Sequence, residues 1–448
     1  MAFAAPASAN VYELVGPTPR ASAMSGAQVA DAHDPGAAFY NPSQLASQHA
    51  LLTSFTFSYL HEQGDVSKLD PNDSRELDCR YCSAPDAAGF SIGLSAPLQG
   101  KLKDRVTVGL ALYVPTDVVA RTHSEDPQRP FWYAYDNNPK RLLVFLGAGV
   151  HVIDGLDVGA GAQVLADLVG DGATMRVDTF SKQVQLREVN SYLATRVSPT
   201  VGISITPSKS FRLGASYRHE MSLLYSIPAS VELAGIGTLA FVLTGITHYT
   251  PPIISVGGAF DPTDDMTLSL DLTYEMWSRA PTPYVDLVVD LSGDTLTALG
   301  LDKALVMTAP HTSPGFSDTL NARLGYEYRV SDAFAVRAGA QFRPTPVPKQ
   351  DAPGTNMLDG TRIGVSGGIG TAFHDPLELF EGPLHFDIGL QVGTMLGREA
   401  HKEDTDTVPS YRYSAVVFAG QASISYAMGG DEKPAPSKIQ EEEKSTDD

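Results

Sequence analysis

The stretch Met266-Thr267-Leu268-Ser269-Leu270-Asp271-Leu272-Thr273-Tyr274-Glu275-Met276-Trp277 decides the fold, because apolar and polar residues alternate along it. A period of two puts one set on one face of an extended strand; on a helix the same residues would scatter around the axis. Met266, Leu268, Leu270, Leu272, Tyr274 and Met276 suit lipid, whereas Asp271 and Glu275 on the opposite face suit water. The pattern returns in 320–328, with Asn321, Arg323, Gly325, Glu327 and Arg329 on the polar face. It returns again in 334–342, with Arg337, Gly339, Gln341 and Arg343. Weaker versions occupy 51–60, 88–98, 105–114, 141–152, 157–167, 192–205, 211–221, 252–260, 362–373, 384–396 and 411–428, which brings the total to fourteen segments. Roughly ten residues is the length at which a tilted strand crosses a bilayer.

The connections are of two kinds, and they alternate. Short ones at 99–104, 153–156, 206–210, 261–265, 331–333 and 375–383 are rich in Asp, Gly, Pro and Ser, as tight turns require. Long ones span 61–87, 115–140, 168–191, 222–251, 278–317, 344–361 and 397–410. Six short and seven long connections fit fourteen up-and-down strands with both ends on the short-turn side. A soluble all-β protein predicts no such asymmetry. The expectation is all-β, a 14-stranded antiparallel transmembrane β-barrel over 50–428 with periplasmic termini.

Composition agrees. Of 448 residues 43% are hydrophobic and only 19% charged, enough apolar material for a folded chain. A net charge of −20 repels polyanions, which argues against a nucleic-acid partner. The longest run without Asp, Glu, Lys or Arg, 233–260, is broken by Gly235, Gly237, Gly245, Pro251 and Pro252, so no helical span is read. Residues 1–9 end in Ala7-Ser8-Ala9 and read as a residual signal-peptide stub. Residues 429–448 read as a disordered acidic periplasmic tail. Between stub and barrel, 10–49 is compact and rich in small residues, suited to filling the lumen of a wide barrel as a plug.

That plug carries Arg20-Ala21-Ser22-Ala23-Met24-Ser25-Gly26-Ala27 and Asp34-Pro35-Gly36-Ala37-Ala38-Phe39-Tyr40-Asn41-Pro42-Ser43. The run resembles the N-terminal hatch of the long-chain fatty-acid and aromatic-hydrocarbon outer-membrane transporters of the FadL/TodX type. The hatch signature there is Asn-Pro-Ala; here Asn41 and Pro42 are followed by Ser43. Leu112-Tyr113-Val114-Pro115, Arg212-Leu213-Gly214-Ala215-Ser216-Tyr217-Arg218, Asp271-Leu272-Thr273-Tyr274-Glu275-Met276-Trp277-Ser278 and Arg323-Leu324-Gly325-Tyr326-Glu327-Tyr328-Arg329 are similar to family strands. The family usually ends on an aromatic residue read by the barrel-assembly machinery, whereas Tyr426-Ala427-Met428 precedes the acidic tail here.

The resemblance implies passive uptake of hydrophobic small molecules by a monomer set in outer-membrane lipid and lipopolysaccharide. Capture on an apolar outer loop is followed by an internal pocket and release through a gap at the third strand. The expected capture residues are Leu223, Leu224, Ile227, Leu239, Phe241 and Val242, in a loop too apolar for plain exposure. Packing of that loop on 282–310, through Val285, Leu287, Val288, Val289 and Leu291, is the other reading. Asp271, Arg323, Glu327, Arg329, Arg337 and Arg343 are expected in the lumen, as a structural network or as contacts for a carboxylate head group. Val108, Gly109 and Leu110 are expected to form an inward kink beside Asn41 and Pro42, since glycine permits a bulge.

Other chemistries are weaker. A polar-solute porin needs an open lumen, which the hatch denies; an adhesin needs polar loops, whereas these are partly apolar. Gly364-Val365-Ser366-Gly367-Gly368 fits the Gly-x-Ser-x-Gly pattern of a lipase-like barrel, yet falls inside a predicted strand instead of a strand-to-helix turn. No two histidines stand four apart, so no metal site is argued, no cofactor is called for, and no enzyme is expected. Cys79 and Cys82 are expected to form a loop disulfide. Phe131-Trp132-Tyr133-Ala134-Tyr135 reads as an interfacial anchor or a ligand-stacking cluster.

Overall fold

The computed structural model describes residues 10–78, 82–117, 129–132, 134, 140–178, 181–281, 286–298, 300, 315–377, 379–380 and 382–428. The stub, the acidic tail, Cys79, Tyr133, Tyr135 and Val285 lie outside them, as does the side chain of Leu224. Fourteen strands close into an antiparallel barrel: β1 Leu51–Lys68, β2 Ala87–Pro97, β3 Val106–Pro115, β4 Leu143–Ile153, β5 Leu156–Asp178, β6 Gln183–Ser208, β7 Phe211–Arg218, β8 Ile253–Thr263, β9 Met266–Glu275, β10 Thr319–Ser331, β11 Phe334–Arg343, β12 Arg362–Phe373, β13 Leu384–Ala400 and β14 Tyr411–Met428. Each pairs with the next, and β1 zips to β14 from Leu51↔Met428 to Lys68↔Tyr411, leaving no open edge. The faces follow the alternation: Leu270 is 47% exposed and Asp271 1%.

Two expected loops are strands. The stretch 168–191 continues β5 and β6 past the bilayer as one ladder, from Leu168↔Leu193 to Asp178↔Gln183. Apolar residues still alternate with polar ones along it, as Met175 and Val177 do with Thr174, Arg176 and Asp178, but Gly170, Asp171 and Gly172 interrupt the pattern and the register shifts there. The stretch 222–251 forms the hairpin Met221–Leu233 and Gly237–Thr250, widened by a third strand, Asp286–Ser292, with Leu243 opposite Leu287 and Phe241 opposite Val289. The packing of 222–251 against 282–310 is therefore real, and it takes the form of β-pairing. The hairpin's first strand also adds parallel to the outer end of β5, from Ala173↔Ala229 to Val177↔Leu233.

The hatch consists of α1 Val11–Leu14, α2 Pro19–Ala23, α3 Ala37–Tyr40 and a 3₁₀ turn Pro42–Ser47. The sequence caps most of these pieces. Asn10 Oδ1 accepts from the Glu13 amide, Thr18 Oγ1 from that of Ala21, and Asn41 Oδ1 from that of Ser43, with Pro19 and Pro42 opening their turns. The wall accommodates the hatch by omitting side chains. On eleven of fourteen strands, β2–β8 and β10–β13, an inward glycine lies against hatch atoms. A Cβ on Gly109 would fall 2.6 Å from Leu45 Cδ2, one on Gly325 2.9 Å from Met24 Cε, and one on Gly214 would collide with the Val29 carbonyl. On β9 the contact is polar, with Asp271 Oδ2 accepting from the amides of Gln28 (2.6 Å) and Val29 (2.8 Å).

Candidate functional site

The lumen around this hatch has two chemically different sides. On β7–β13 the inward residues are polar and tied to the hatch through ion pairs. Arg20, from α2, reaches Glu327 of β10 (Nε–Oε2 3.0 Å) and Asp31 of the hatch (Nη2–Oδ2 2.6 Å). Glu327 also holds Arg337 at 2.6 Å, and Arg337 holds Asp387 of β13 at 2.5 Å. Asp31 additionally meets Arg212 at 2.7 Å and His33 at 2.9 Å. Burial pushes the Asp31 carboxyl up, but His33, Arg20 and Arg212 outweigh it and hold the group well below the ordinary carboxylate range. Gln391 of β13 binds the carbonyls of Val15 (3.2 Å) and Ser22 (2.9 Å).

On β14 and β1–β5 the inward side carries an apolar cluster beside hydrogen bonds to the hatch from Gln421 to the Gly16 carbonyl and from Thr107 to the Gln48 carbonyl, both at 2.9 Å. Val417, Leu60, Tyr113, Leu143, Phe145 and Leu165 are buried in one cluster with Val11, Tyr12 and Phe39 of the hatch. Tyr12 packs on Phe39, Tyr113 and Phe145 at ring-centroid distances of 5.5, 6.0 and 5.7 Å. Phe39 meets Phe145 edge-on at 5.0 Å. Among the described residues, Tyr113 Oη and both amide atoms of Gln163 are buried beside this cluster without a hydrogen-bond partner.

The expected lumen charges divide. Asp271, Glu327, Arg337 and Arg343 are engaged by protein groups, Arg343 by Glu275 at 3.4 Å, and Arg323 donates to Thr273 Oγ1 at 3.3 Å. Arg329 is the exception. It is exposed at the short-turn end and donates to the Asp264 carbonyl, because β10 runs on to Ser331 and carries it out of the packed lumen. There Arg329 borders a vestibule lined by Arg20, Glu327, Arg337 and Asp387 together with apolar residues such as Leu52 and Phe334.

The capture residues also divide. Leu223 is fully buried and joins the luminal cluster; Leu239 and Phe241 are half-buried within the outer sheet; Ile227 and Val242 are exposed at its surface. No bulge marks the kink expected at Val108, Gly109 and Leu110. The ladders of β3 to β2 and to β4 pass these residues without a register shift. Gly109 is needed for another reason, the close approach of Leu45. Nor do Asn41 and Pro42 abut β3. Asn41 donates to the Val29 carbonyl (2.8 Å) and packs on Gly202 of β6, Pro42 lies on Gly149 and Gly159, and Ser43 Oγ meets Ser204 Oγ at 2.5 Å. The hydroxyl of Ser43 is thus satisfied against β6.

Phe131 and Trp132 are buried, so neither is an interfacial anchor; Trp132 belongs to the luminal cluster and donates to the Cys82 carbonyl at 2.6 Å. Cys82 is disulfide-bonded. Ser366 lies within β12 and bonds the hatch, through Ser25 Oγ and the Ala23 carbonyl, both at 2.7 Å, which leaves no strand-to-helix elbow. Sequence reasoning did not single out Arg20, Asp31, Arg212 or Phe145 for a role. A lone arginine and aspartate in a small-residue stretch were the available signal.

The profile of the outer membrane protein transport protein family (OMPP1/FadL/TodX) matches residues 1–379. Alkane uptake protein A of Marinobacter nauticus is 22% identical over 388 residues, 83% of this chain and 80% of that one. Two solved structures share the fold. The Pseudomonas aeruginosa FadL homologue has a TM-score of 0.57 at 16% identity and covers 94% of this chain and 99% of its own. The Pseudomonas putida toluene transporter TodX has a TM-score of 0.56 at 13% identity and covers 92% and 98%. With a closed barrel, a lipid-facing apolar surface and a seated hatch, the chain belongs to the OMPP1/FadL/TodX family of outer-membrane transport proteins.

Proposed function

We propose that this barrel takes up neutral hydrocarbons across the outer membrane by a route confined to the apolar side of the lumen. The single observation that carries the reading is the aromatic cluster in which Tyr12 and Phe39 of the hatch pack on Tyr113 and Phe145 of the wall, away from the ion pair that holds the hatch to Glu327 of β10. Leu223 links the outer hairpin to that cluster, and Ile227 and Val242 of the same hairpin are exposed where an apolar molecule can first be caught. The name of the Marinobacter relative agrees with an alkane substrate.

The exit follows from energetics. Releasing a long chain into water costs about 0.8 kcal/mol per methylene, so sideways escape into the bilayer is favoured. A strand pair is weakest where no side chains meet across it. On β3–β6 glycines face one another: Gly109↔Gly147↔Gly161, and Gly149↔Gly159↔Gly202. Leu45 and Pro42 cover this patch from inside. Escape between Gly109 and Gly147 requires the Leu45 side chain to move, whereas at Gly149, Gly159 and Gly202 the hatch segment 41–46 itself covers the wall. The test is labelled-hexadecane uptake by cells lacking their own hydrocarbon transporter, beside swelling of liposomes in sugars. Uptake without swelling is expected; swelling without uptake overturns the reading in favour of a porin.

A further inference from the structure

At the edge of the aromatic cluster Arg218, the last residue of β7, places its guanidinium over the Phe39 ring, 4.3 Å from the centroid, and 5.7 Å from that of Phe145. A buried guanidinium stacked on rings is a receptor for the carboxylate of an amphiphile. Here the receptor is already filled. Glu13, in α1, puts Oε1 2.6 Å from Arg218 Nη1, and the two side chains are only 6% and 8% exposed. The Asn10 cap on the Glu13 amide holds that helical turn in place. Arg218 Nε has no partner among the described residues, so what Glu13 withholds from a second acid is the charge and not every donor.

We infer that Glu13 is a built-in head-group surrogate, a specificity residue that makes this apolar side of the lumen select neutral hydrophobic molecules over those bearing a carboxylate. The inference rests on the proposed hydrocarbon uptake and adds the substrate's charge to it. A neutral molecule enters without disturbing the pair. An anionic one must either displace Glu13, leaving that carboxylate buried and unpaired, or share one guanidinium with it at close like-charge range. A plain hatch-fastening role for the pair makes no prediction about ligand charge.

The experiment compares binding of dodecane, methyl laurate and laurate to purified full-length protein in detergent, for the native chain, Glu13→Gln, and Glu13→Gln with Arg218→Met. The native chain is expected to bind methyl laurate at least tenfold more tightly than laurate. Glu13→Gln is expected to raise laurate affinity at least tenfold relative to methyl laurate, and the double variant to lose that gain. An unchanged ratio in Glu13→Gln, or a gain that survives removal of Arg218, overturns the inference. Heat-modifiable migration on gels reports folding of each variant. If Glu13→Gln does not fold, Glu13→Ala takes its place; if neither folds, native protein that binds laurate as tightly as its ester overturns the inference. Failure of the native chain to bind dodecane and methyl laurate at all strikes the hydrocarbon reading instead.

Discussion

On the β7–β13 side the hatch meets the wall through charges and amides, with Arg20 bonded to both Glu327 and Asp31. On the β14 and β1–β5 side it meets Phe145, Tyr113 and Leu143 through rings and branched chains. Directional contacts of the first kind fix one geometry, and losing one partner strands a buried charge. Contacts of the second kind are non-directional, so they re-form around an inserted apolar molecule at little cost. Under the proposed uptake route, anchoring belongs to the first side and passage to the second.

The comparison breaks most completely if the hatch cannot seat. Gly214→Leu with Gly159→Leu sets side chains against the Val29 carbonyl and the Pro42 backbone. Planar-bilayer recordings are expected to show a large rise in small-ion conductance. Gly258→Leu serves as the control, because its nearest neighbours are Leu213 and the Arg212 carbonyl and no hatch atom. The next effect is Arg20→Ala, which leaves Asp31 and Glu327 short of a cation at a cost of roughly 3–5 kcal/mol. The expected result is a lowered unfolding midpoint and intermittent conductance, with hydrocarbon affinity retained.

On the other side, Phe145→Ala is expected to weaken hydrocarbon binding about tenfold, ~1.4 kcal/mol, without added conductance. A leak from Phe145→Ala, or lost binding from Arg20→Ala, would erase the distinction between the sides. The smallest effect concerns the outer hairpin. His248 is fully buried there, and burial, then Arg141, hold its imidazole well below the ordinary value. The folded hairpin keeps it neutral while an opened one protonates near pH 6.5, so local stability falls as pH drops below that value. Hydrogen exchange in the strand Gly237–Thr250 is expected to speed up between pH 7.5 and pH 5.5, and to lose that dependence in His248→Leu.

Strands were legible because lipid and water on opposite faces impose a period of two, as 266–276 displays. The short and long connections were legible for the same reason, since only one end of the barrel carries elaboration. The lumen was less so. Arg20 and Glu327 stand 307 residues apart, and nothing local to either marks the other. The hairpin at 222–251 hid its strands because Pro228 and Gly235 interrupt the alternation, and pairing with Asp286–Ser292 is a tertiary event. Gly109 shows the ambiguity most plainly. Glycine in a strand marks a bulge or a close approach, and only the position of Leu45 selects between them.

The central claim is that hydrocarbons pass while the hatch stays fastened to the polar side. Ser25 and Ser366 place their Oγ atoms 2.7 Å apart across the hatch–wall contact, so Ser25→Cys with Ser366→Cys offers a disulfide that locks them. Hexadecane uptake is then compared in cells with this bridge oxidised and reduced. Equal uptake in the two states is the predicted result; uptake abolished by oxidation and restored by reduction would contradict the account.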